Sequence, residues 1–262
     1  MKTAFTTMTR VMIITLLLIT ILGPNVSQPT IAYATPSVAC HGFSDVPSHY
    51  YACFALDQLV TANVVAGYTD PTCSQKGVPS PCFLPQNAVT RAQFSKIVSS
   101  LFGYNYLCSP TCSQHFTDVP VGSTFFTYIE SLYRAGIISG YGADVCNAYP
   151  YYIAAPCFLP GNPVSRQQMA KIISNSAGFS DNTSGRPATF ADVAPGNTFF
   201  DYVERLVIHS ANGPFPPDVT LPSCSSSTQP CFYPGTNAPR IDTIYHSYRS
   251  YVIKVNLQQG YS

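Results

Sequence analysis

Two segments of the chain place an arginine at the start of a predicted helix, directly after a hydroxyl residue. They read Thr90-Arg91-Ala92-Gln93 and Ser165-Arg166-Gln167-Gln168. Each fits a capping box, in which the hydroxyl accepts the third backbone N–H and the glutamine side chain reaches back to the cap. The cap does not require the arginine. Free N–H groups and the helix dipole favour an anion at this place, and a guanidinium can hold a carboxylate through two parallel hydrogen bonds.

These segments therefore supply candidate ligands for an anion. The candidates are Thr90, Arg91, Gln93, Ser165, Arg166 and Gln168. A third segment, Asn237 to Asp242, offers Arg240 as a further candidate, but Pro239 replaces the capping hydroxyl. We therefore expect Arg91 and Arg166 to carry most of the binding and Arg240 to contribute least. The alternative is that each arginine only pairs with an acid or a carbonyl of a neighbouring repeat.

The elements that position these arginines recur. The phrase Phe-x-Asp-Val occurs as FSDV at Phe43, FTDV at Phe116 and FADV at Phe190. Each occurrence precedes an aromatic pair, a helical line of apolar residues, a cysteine-bracketed loop ending in Cys-Phe-x-Pro, and then an arginine. This order predicts three structural repeats of about 70 residues that stack on one another.

Apolar residues at three- and four-residue steps predict a first helix in each repeat, with one face buried. The predicted core positions are Phe126, Ile129, Leu132 and Tyr133 in the second repeat, Leu56 and Leu59 in the first, and Val203 and Leu206 in the third. This helix is predicted to end in the segments 63–68 and 136–141, where the glycines Gly67, Gly136 and Gly140 are expected to close it in the left-handed conformation.

An aspartate precedes each of these helices, at Asp45, Asp118 and Asp192. A carboxylate at such a place can accept backbone N–H bonds in a turn or near a helix N-terminus. A catalytic role is the alternative, but no paired carboxylate or histidine recurs beside them. We therefore predict a structural role for all three.

Ten cysteines in an exported chain predict five disulfides. Sequence-neighbour pairs are expected: Cys40 with Cys53, Cys73 with Cys82, Cys108 with Cys112, Cys146 with Cys157, and Cys224 with Cys231. Zinc is the rival interpretation, but no couple has the two-residue gap of ribbon-type sites, and the histidines fall in no matching register. The sequence contains no D-x-D-x-D-G run, which would be typical of a calcium-binding loop. We expect neither a metal nor a cofactor.

The N-terminus resembles an export signal. Lys2 and Arg10 precede an apolar run, and Ala32-Tyr33-Ala34 offers a cleavage site, so residues 1–34 are predicted to be a signal peptide and Thr35 the first mature residue. A retained membrane anchor is the alternative, although the run is shorter than a bilayer span. Removal of the leader leaves 11 basic against 12 acidic residues, a net charge of −1. This charge argues against a nucleic-acid partner.

The repeated order of motifs resembles the S-layer homology domain. The resemblance rests on FTDV, Phe125-Phe126, YIESLYRAGIISGY (128–141), CFLP (157–160) and VSRQQMAKII (164–173), with matching segments in the first repeat. It predicts repeats at 40–107, 113–181 and 187–257. It implies a mainly α fold, three helix-loop-helix repeats around a pseudo-threefold axis, and ligand grooves between repeats.

The resemblance also implies a function. Members of this family hold exported proteins on the bacterial cell surface by binding cell-wall polysaccharides, which often carry pyruvate ketals, and the arginine of their Thr-Arg-Ala-Glu motif contributes to a groove. That arginine maps onto Arg91 and Arg166, with glutamine in place of the glutamate in both segments. The family's tryptophan after Asp-Val is absent, and Tyr51, Phe125 and Phe199 stand near its place.

A non-catalytic anchoring module is therefore the expected function, with a cell-wall polysaccharide as the partner, a location at the bacterial cell surface or wall, and no membrane span after cleavage. An envelope structural protein or an adaptor that binds another surface protein is the alternative. An enzyme is disfavoured, because the chain lacks G-x-S-x-G, H-E-x-x-H and a carboxylate pair suited to glycoside cleavage.

Overall fold

The computed structural model of the protein describes residues 39–108, 112–209, 224 and 229–260. The predicted signal peptide and its cleavage site lie outside these residues. The described part is mainly helical, as predicted, and contains isolated β-bridges but no strand. Its α-helices are α1 (Cys53–Thr61), α2 (Thr72–Gln75), α3 (Arg91–Phe102), α4 (Phe126–Arg134), α5 (Ala143–Cys146), α6 (Arg166–Ala177), α7 (Phe200–Ile208) and α8 (Arg240–Gln258). Two 3-10 turns cover Ala39–Gly42 and Asn105–Cys108.

The apolar stripes of α1, α4 and α7 form the core. Their predicted positions are buried except for Tyr133, which is half-buried and stacks on His115 with ring centroids 3.7 Å apart. Helix α4 packs on α3, α7 packs on α6, and α1 packs on α8. Each predicted first helix therefore covers the second helix of another repeat. None of the helices described here is both long and apolar enough to cross a bilayer.

The segments that precede α3, α6 and α8 meet in one place. Isolated antiparallel bridges join Thr90 to Pro163, Ser165 to Asn237, and Ala88 to Pro239. Each segment therefore pairs with both of the others. Because these bridges end directly before the three helices, they bring the three helix N-termini, and with them the three arginines, into one region of the molecule.

The three aspartates of the repeated phrase have a structural role. Asp45 accepts the backbone N–H groups of Phe83 and Leu84, both at 2.8 Å. Asp118 and Asp192 make the same pair of bonds, at 2.7 Å, to residues 158–159 and 232–233. The partners thus lie about 40 positions later, in the Cys-Phe-x-Pro segment, rather than in the local turn that the sequence predicted. Each aspartate fixes the end of a cysteine-bracketed loop.

All five predicted disulfides are present. Among the described residues the cysteines leave no free thiol. Three of the bonds close equivalent loops, between Cys73 and Cys82, Cys146 and Cys157, and Cys224 and Cys231. They attach each loop to the Phe-x-Pro segment that the aspartate holds.

The expectation for the glycines after the first helices is confirmed for Gly136 and wrong for Gly67 and Gly140. The left-handed conformation is taken by Asn63 after α1 and by Gly136 after α4. At Gly140 a Cβ atom would lie 2.3 Å from the ring of Phe116 and 2.5 Å from a backbone oxygen, and Gly67 is equally crowded. These two glycines are needed because the backbone passes directly over an aromatic ring.

Candidate functional site: the three arginines at the helix starts

Both predicted capping boxes are present. The Thr90 hydroxyl accepts the Gln93 N–H, and the Gln93 side chain accepts the Thr90 N–H. Ser165 and Gln168 make the same pair of bonds at the start of α6. Helix α8 starts after Pro239 without a side-chain cap, as the sequence indicated. The first residue of each of these helices is an arginine, and its guanidinium lies against the loop of another repeat.

Arg91 is 7% exposed and lies against the second repeat. Its Nε donates to the Phe158 carbonyl at 2.8 Å and one Nη donates to the Ser139 carbonyl at 3.3 Å. The guanidinium stands over the rings of Phe158 and Tyr141, 4.3 and 4.8 Å from their centroids. Burial lowers the pKa of Arg91, although Tyr141 and Asp118 act in the opposite direction. Because only two of its five N–H bonds reach carbonyls, the group keeps donors for a ligand.

A cavity of about 170 Å³ opens beside this guanidinium. We call it the Arg91 groove. Its walls are the turn Ile137–Tyr141, the first turns of α6 with Gln168, Lys171 and Ile172, and Phe199. The lining therefore combines side chains from all three predicted repeats and contains two cations. No acidic residue is among the described residues that line it.

Arg240 lines a cavity of the same construction, about 230 Å³ in volume, which we call the Arg240 groove. One Nη donates to the Tyr68 hydroxyl at 2.6 Å, the other donates to the Ala66 carbonyl at 2.5 Å, and the group stands 4.4 Å from the Phe83 centroid. Its Nε is buried and has no hydrogen-bond acceptor within the described parts of the chain. Burial lowers the pKa of Arg240.

The other walls of the Arg240 groove match those of the Arg91 groove position by position. The turn Val64–Tyr68 replaces 137–141, and Phe125 replaces Phe199. From α3 come Gln93, Lys96 and Ile97, where the Arg91 groove has Gln168, Lys171 and Ile172. Its described lining is likewise free of acids.

Arg166 has a different partner. Its Nε donates to the Phe232 carbonyl at 2.7 Å, as Arg91 does to Phe158, but an Nη contacts the Asp242 carboxylate at 2.8 Å. The Tyr51 hydroxyl donates to the second oxygen of this carboxylate at 2.5 Å. The two charged side chains are only 9% and 18% exposed. Burial, reinforced by Asp242, raises the pKa of Tyr51, so this hydroxyl stays protonated and remains a donor.

Position within the helix explains the difference. Asp242 is the third residue of α8, where α3 and α6 have Gln93 and Gln168. The sixth residue is Lys96 or Lys171 in the grooves and Tyr245 in α8. The Arg166 contact thus gains an acid and loses a lysine. The sequence contains a signal for this difference. When the three helix starts are aligned, the charged Asp242 stands at the position of the neutral Gln93 and Gln168.

Two segments of the chain that include Arg91 and Arg166 match a known protein family. The sequence profile described as the S-layer homology domain matches residues 42–95 and 115–170. The chain therefore contains two S-layer homology domains. The two matched domains end within the first turns of α3 and α6, just past Arg91 and Arg166. No curated protein matches the chain.

S-layer homology domains are cell-wall anchoring modules that bind wall components and are not catalytic. Their presence implies a protein associated with the cell surface or the cell wall. The profile does not extend over the third predicted repeat. Asp192, Arg240 and Phe232 nevertheless make the backbone and ring contacts that their counterparts make in the two matched domains.

Proposed function

We propose that the protein attaches to the cell surface by binding an anionic group of a cell-wall polysaccharide in the Arg91 and Arg240 grooves. A carboxylate, such as that of a pyruvate ketal, is the group that these grooves suit. The observation that carries the proposal is that two cavities of the same construction each combine an arginine with a lysine and have no acidic residue in their described lining. The arginine is buried in the Arg91 groove and half-buried in the Arg240 groove.

The chemistry of the grooves supports a carboxylate. The N–H groups of a guanidinium form charge-assisted hydrogen bonds to a carboxylate, and partial burial strengthens each of these bonds. Lys171 and Lys96 add a second donor to each groove. The Ile137, Ile138, Val64 and Val65 side chains give the opposite wall an apolar surface, which suits the methyl group and ring carbons of a ketal.

This assignment differs from the ranking that the sequence suggested. Arg166 was expected to bind and Arg240 to contribute least, because Pro239 removes the capping hydroxyl. In our proposal Arg240 binds the ligand, as Arg91 does, whereas Arg166 is held by Asp242. The missing cap does not change how the first residue is held, because the Arg240 backbone N–H donates to the Asn87 carbonyl at 2.8 Å, as the Arg91 backbone N–H does to the Asn162 carbonyl.

We further propose that residues 187–257 form a third S-layer homology repeat and that the three repeats surround a pseudo-threefold axis. The mutual bridges of the three segments and the cyclic contacts of the three arginines support this arrangement. The third repeat then supplies the Arg240 groove with its arginine and the Arg91 groove with Phe199.

Sedimentation with cell walls tests the binding proposal. The mature protein should pellet with walls of the producing bacterium and stay in solution once acid extraction has removed their polysaccharide. The extracted polysaccharide should compete, and reduction of its carboxyl groups to alcohols should weaken that competition at least tenfold. Equal pelleting with extracted walls would instead favour a protein or peptidoglycan partner.

A further inference from the structure

The disulfide-closed loop of the second repeat encloses a pocket of about 490 Å³. Tyr149, Tyr151 and Ile153 of the loop form one side, and residues 159–162 with Asp118 form the other. Tyr151 is 67% exposed and meets Tyr149 edge to face, with ring centroids 5.1 Å apart. The pocket therefore presents an aromatic surface to solvent while a covalent bond holds its loop.

The polar groups of this pocket are uncharged or already paired. The Tyr149 hydroxyl donates to the side-chain oxygen of Asn162 at 2.8 Å, which fixes the amide and leaves its N–H groups as donors. The Asp118 carboxylate accepts two backbone N–H groups. Neither lysine nor arginine is among the described lining residues. This lining offers no site for an anion.

We propose that this pocket, which we call the tyrosine pocket, binds an uncharged sugar residue of the polysaccharide whose acidic group occupies the Arg91 groove. The inference rests on the proposed function. A pyranose ring has an apolar C–H face and a rim of hydroxyls. An exposed tyrosine ring beside a fixed amide matches both parts, because the ring covers the C–H face and the amide donates to a hydroxyl.

The position of the pocket supports one polysaccharide for both sites. Phe158 lies under the Arg91 guanidinium, and the Asn162 carbonyl accepts the Arg91 N–H at 2.8 Å. The backbone from 158 to 162 thus borders the groove at one end and the pocket at the other. Four residues span at most about 14 Å, which is within the length of a short oligosaccharide.

The first repeat lacks this pocket's aromatic side. Its loop between Cys73 and Cys82 reads SQKGVPSP and contains no tyrosine. The tyrosine pocket therefore accompanies the Arg91 groove and not the Arg240 groove, whose Phe83 lies beside that first loop. Both grooves would bind an acidic group of the polysaccharide, and only the Arg91 groove would have an adjoining pocket for the neighbouring sugar.

The experiment uses the mature protein and two probes, the native wall polysaccharide and the same polysaccharide after carboxyl reduction. Calorimetric titration compares wild type with Tyr151→Ala, Tyr151→Phe and Tyr106→Ala. Tyr106 is the matched control, because it is 69% exposed and lies outside the pocket. Circular dichroism checks that each variant is folded.

Tyr151→Ala should weaken binding of both probes about three- to tenfold, the range expected for loss of one aromatic contact. Tyr151→Phe should bind both like wild type, and Tyr106→Ala should change neither. The inference is overturned if carboxyl-reduced polysaccharide does not bind wild type, or if Tyr151→Ala binds it as tightly as wild type does. Failure of the proposed function looks different, since native and carboxyl-reduced polysaccharide would then bind wild type equally.

Discussion

The Arg91 groove and the Arg166 contact start from the same local structure and end in opposite electrostatic states. Both arginines are the first residue of a capped helix, both donate Nε to a Phe carbonyl, and both stand over that phenylalanine ring. Their facing helices differ most clearly at the third residue. Gln168 leaves the Arg91 groove without an acid, whereas Asp242 gives Arg166 an internal carboxylate. The third residue of the facing helix thus decides whether the guanidinium meets a fixed carboxylate from the protein itself.

The comparison also indicates what a ligand would look like. Asp242 places one oxygen on the Arg166 guanidinium and the other on the Tyr51 hydroxyl. Phe125 and Phe199, which directly precede α4 and α7, line the Arg240 and Arg91 grooves but offer no hydroxyl. Lys96 and Lys171 are the other charged donors there. We therefore expect an external carboxylate to take its second bond from a lysine.

The largest expected effect is the loss of wall binding when an arginine is replaced by alanine, and it should differ among the three arginines. Arg91→Ala and Arg240→Ala should each weaken pelleting tenfold or more, because loss of a hydrogen-bonded charge partner costs on the order of 2 to 5 kcal/mol. The double variant should lose at least a hundredfold, since both grooves then lack their main cation. Arg166→Ala should change binding per folded molecule less than threefold. A folded Arg166→Ala protein that loses wall binding, beside unaffected Arg91→Ala and Arg240→Ala, would contradict the assignment.

The same substitutions should lower the free energy of unfolding in a different order. Arg166→Ala leaves the mostly buried Asp242 carboxylate without its cation and should lower the free energy of unfolding by on the order of 3 kcal/mol. Arg91→Ala strands only carbonyl groups and should cost about 1 to 2 kcal/mol. Denaturant titration measures both losses. A double-mutant cycle with Asp242→Ala should recover part of the Arg166 loss, and strictly additive losses would refute the pairing.

The Arg166 contact should also carry a pH dependence that the grooves lack. His246 is buried beside it, and this burial lowers the pKa of His246 from 6.5 to about 4, with Asp242 opposing the shift and Arg166 and Arg249 reinforcing it. The unfolded chain therefore takes up the proton first as the pH falls. Stability should decline between about pH 6.5 and pH 4, by roughly 3 kcal/mol in total, and level off below.

Substitution of the histidine provides the control for this prediction. His246→Ile introduces the residue that Ile97 and Ile172 supply at the equivalent positions of α3 and α6. Unfolding followed by circular dichroism at several pH values should show a smaller slope between pH 6.5 and pH 4 in this variant. An unchanged slope would assign the pH dependence to another group.

The smallest expected effect concerns the groove lysines. Lys96→Gln and Lys171→Gln should each weaken wall binding about threefold and reduce its dependence on salt, because exposed or half-buried charges contribute modestly and are screened. Pelleting at several salt concentrations measures both quantities. Lys76→Gln is a suitable control, since this exposed lysine lies outside both grooves. An equal effect of Lys76→Gln would indicate general charge attraction.

Local patterns predicted much of this structure. The apolar stripes, the capping boxes and the neighbour disulfides all depend on residues close in sequence, and each is present. The backbone partners of Asp45 were not predicted, because they lie 38 and 39 positions away. The sequence left open that Arg166 pairs with an acid of a neighbouring repeat, but it did not identify Asp242, which lies 76 positions away. The role of Gly140 was missed because it depends on the ring of Phe116, which packs under it only in the folded chain.

Our proposal ranks the three arginines differently from the prediction made from the sequence. Pro239 attracted attention because it removes a cap, which is a local feature. The decisive residue in our proposal is Asp242, because the fold places it on α8 against Arg166 of the preceding predicted repeat. A pattern read along one helix shows how its N-terminus is capped but not which side chain the fold places opposite.

The mutual bridges between the segments before α3, α6 and α8 have a consequence for the evolution of this chain. Since both grooves take side chains from all three predicted repeats, no repeat carries a binding site that selection could preserve by itself. Duplication of one repeat, or loss of the last, would dismantle both grooves at once. Under the proposed function, the smallest unit that can attach to the wall is the set of three predicted repeats, because each groove takes side chains from all three.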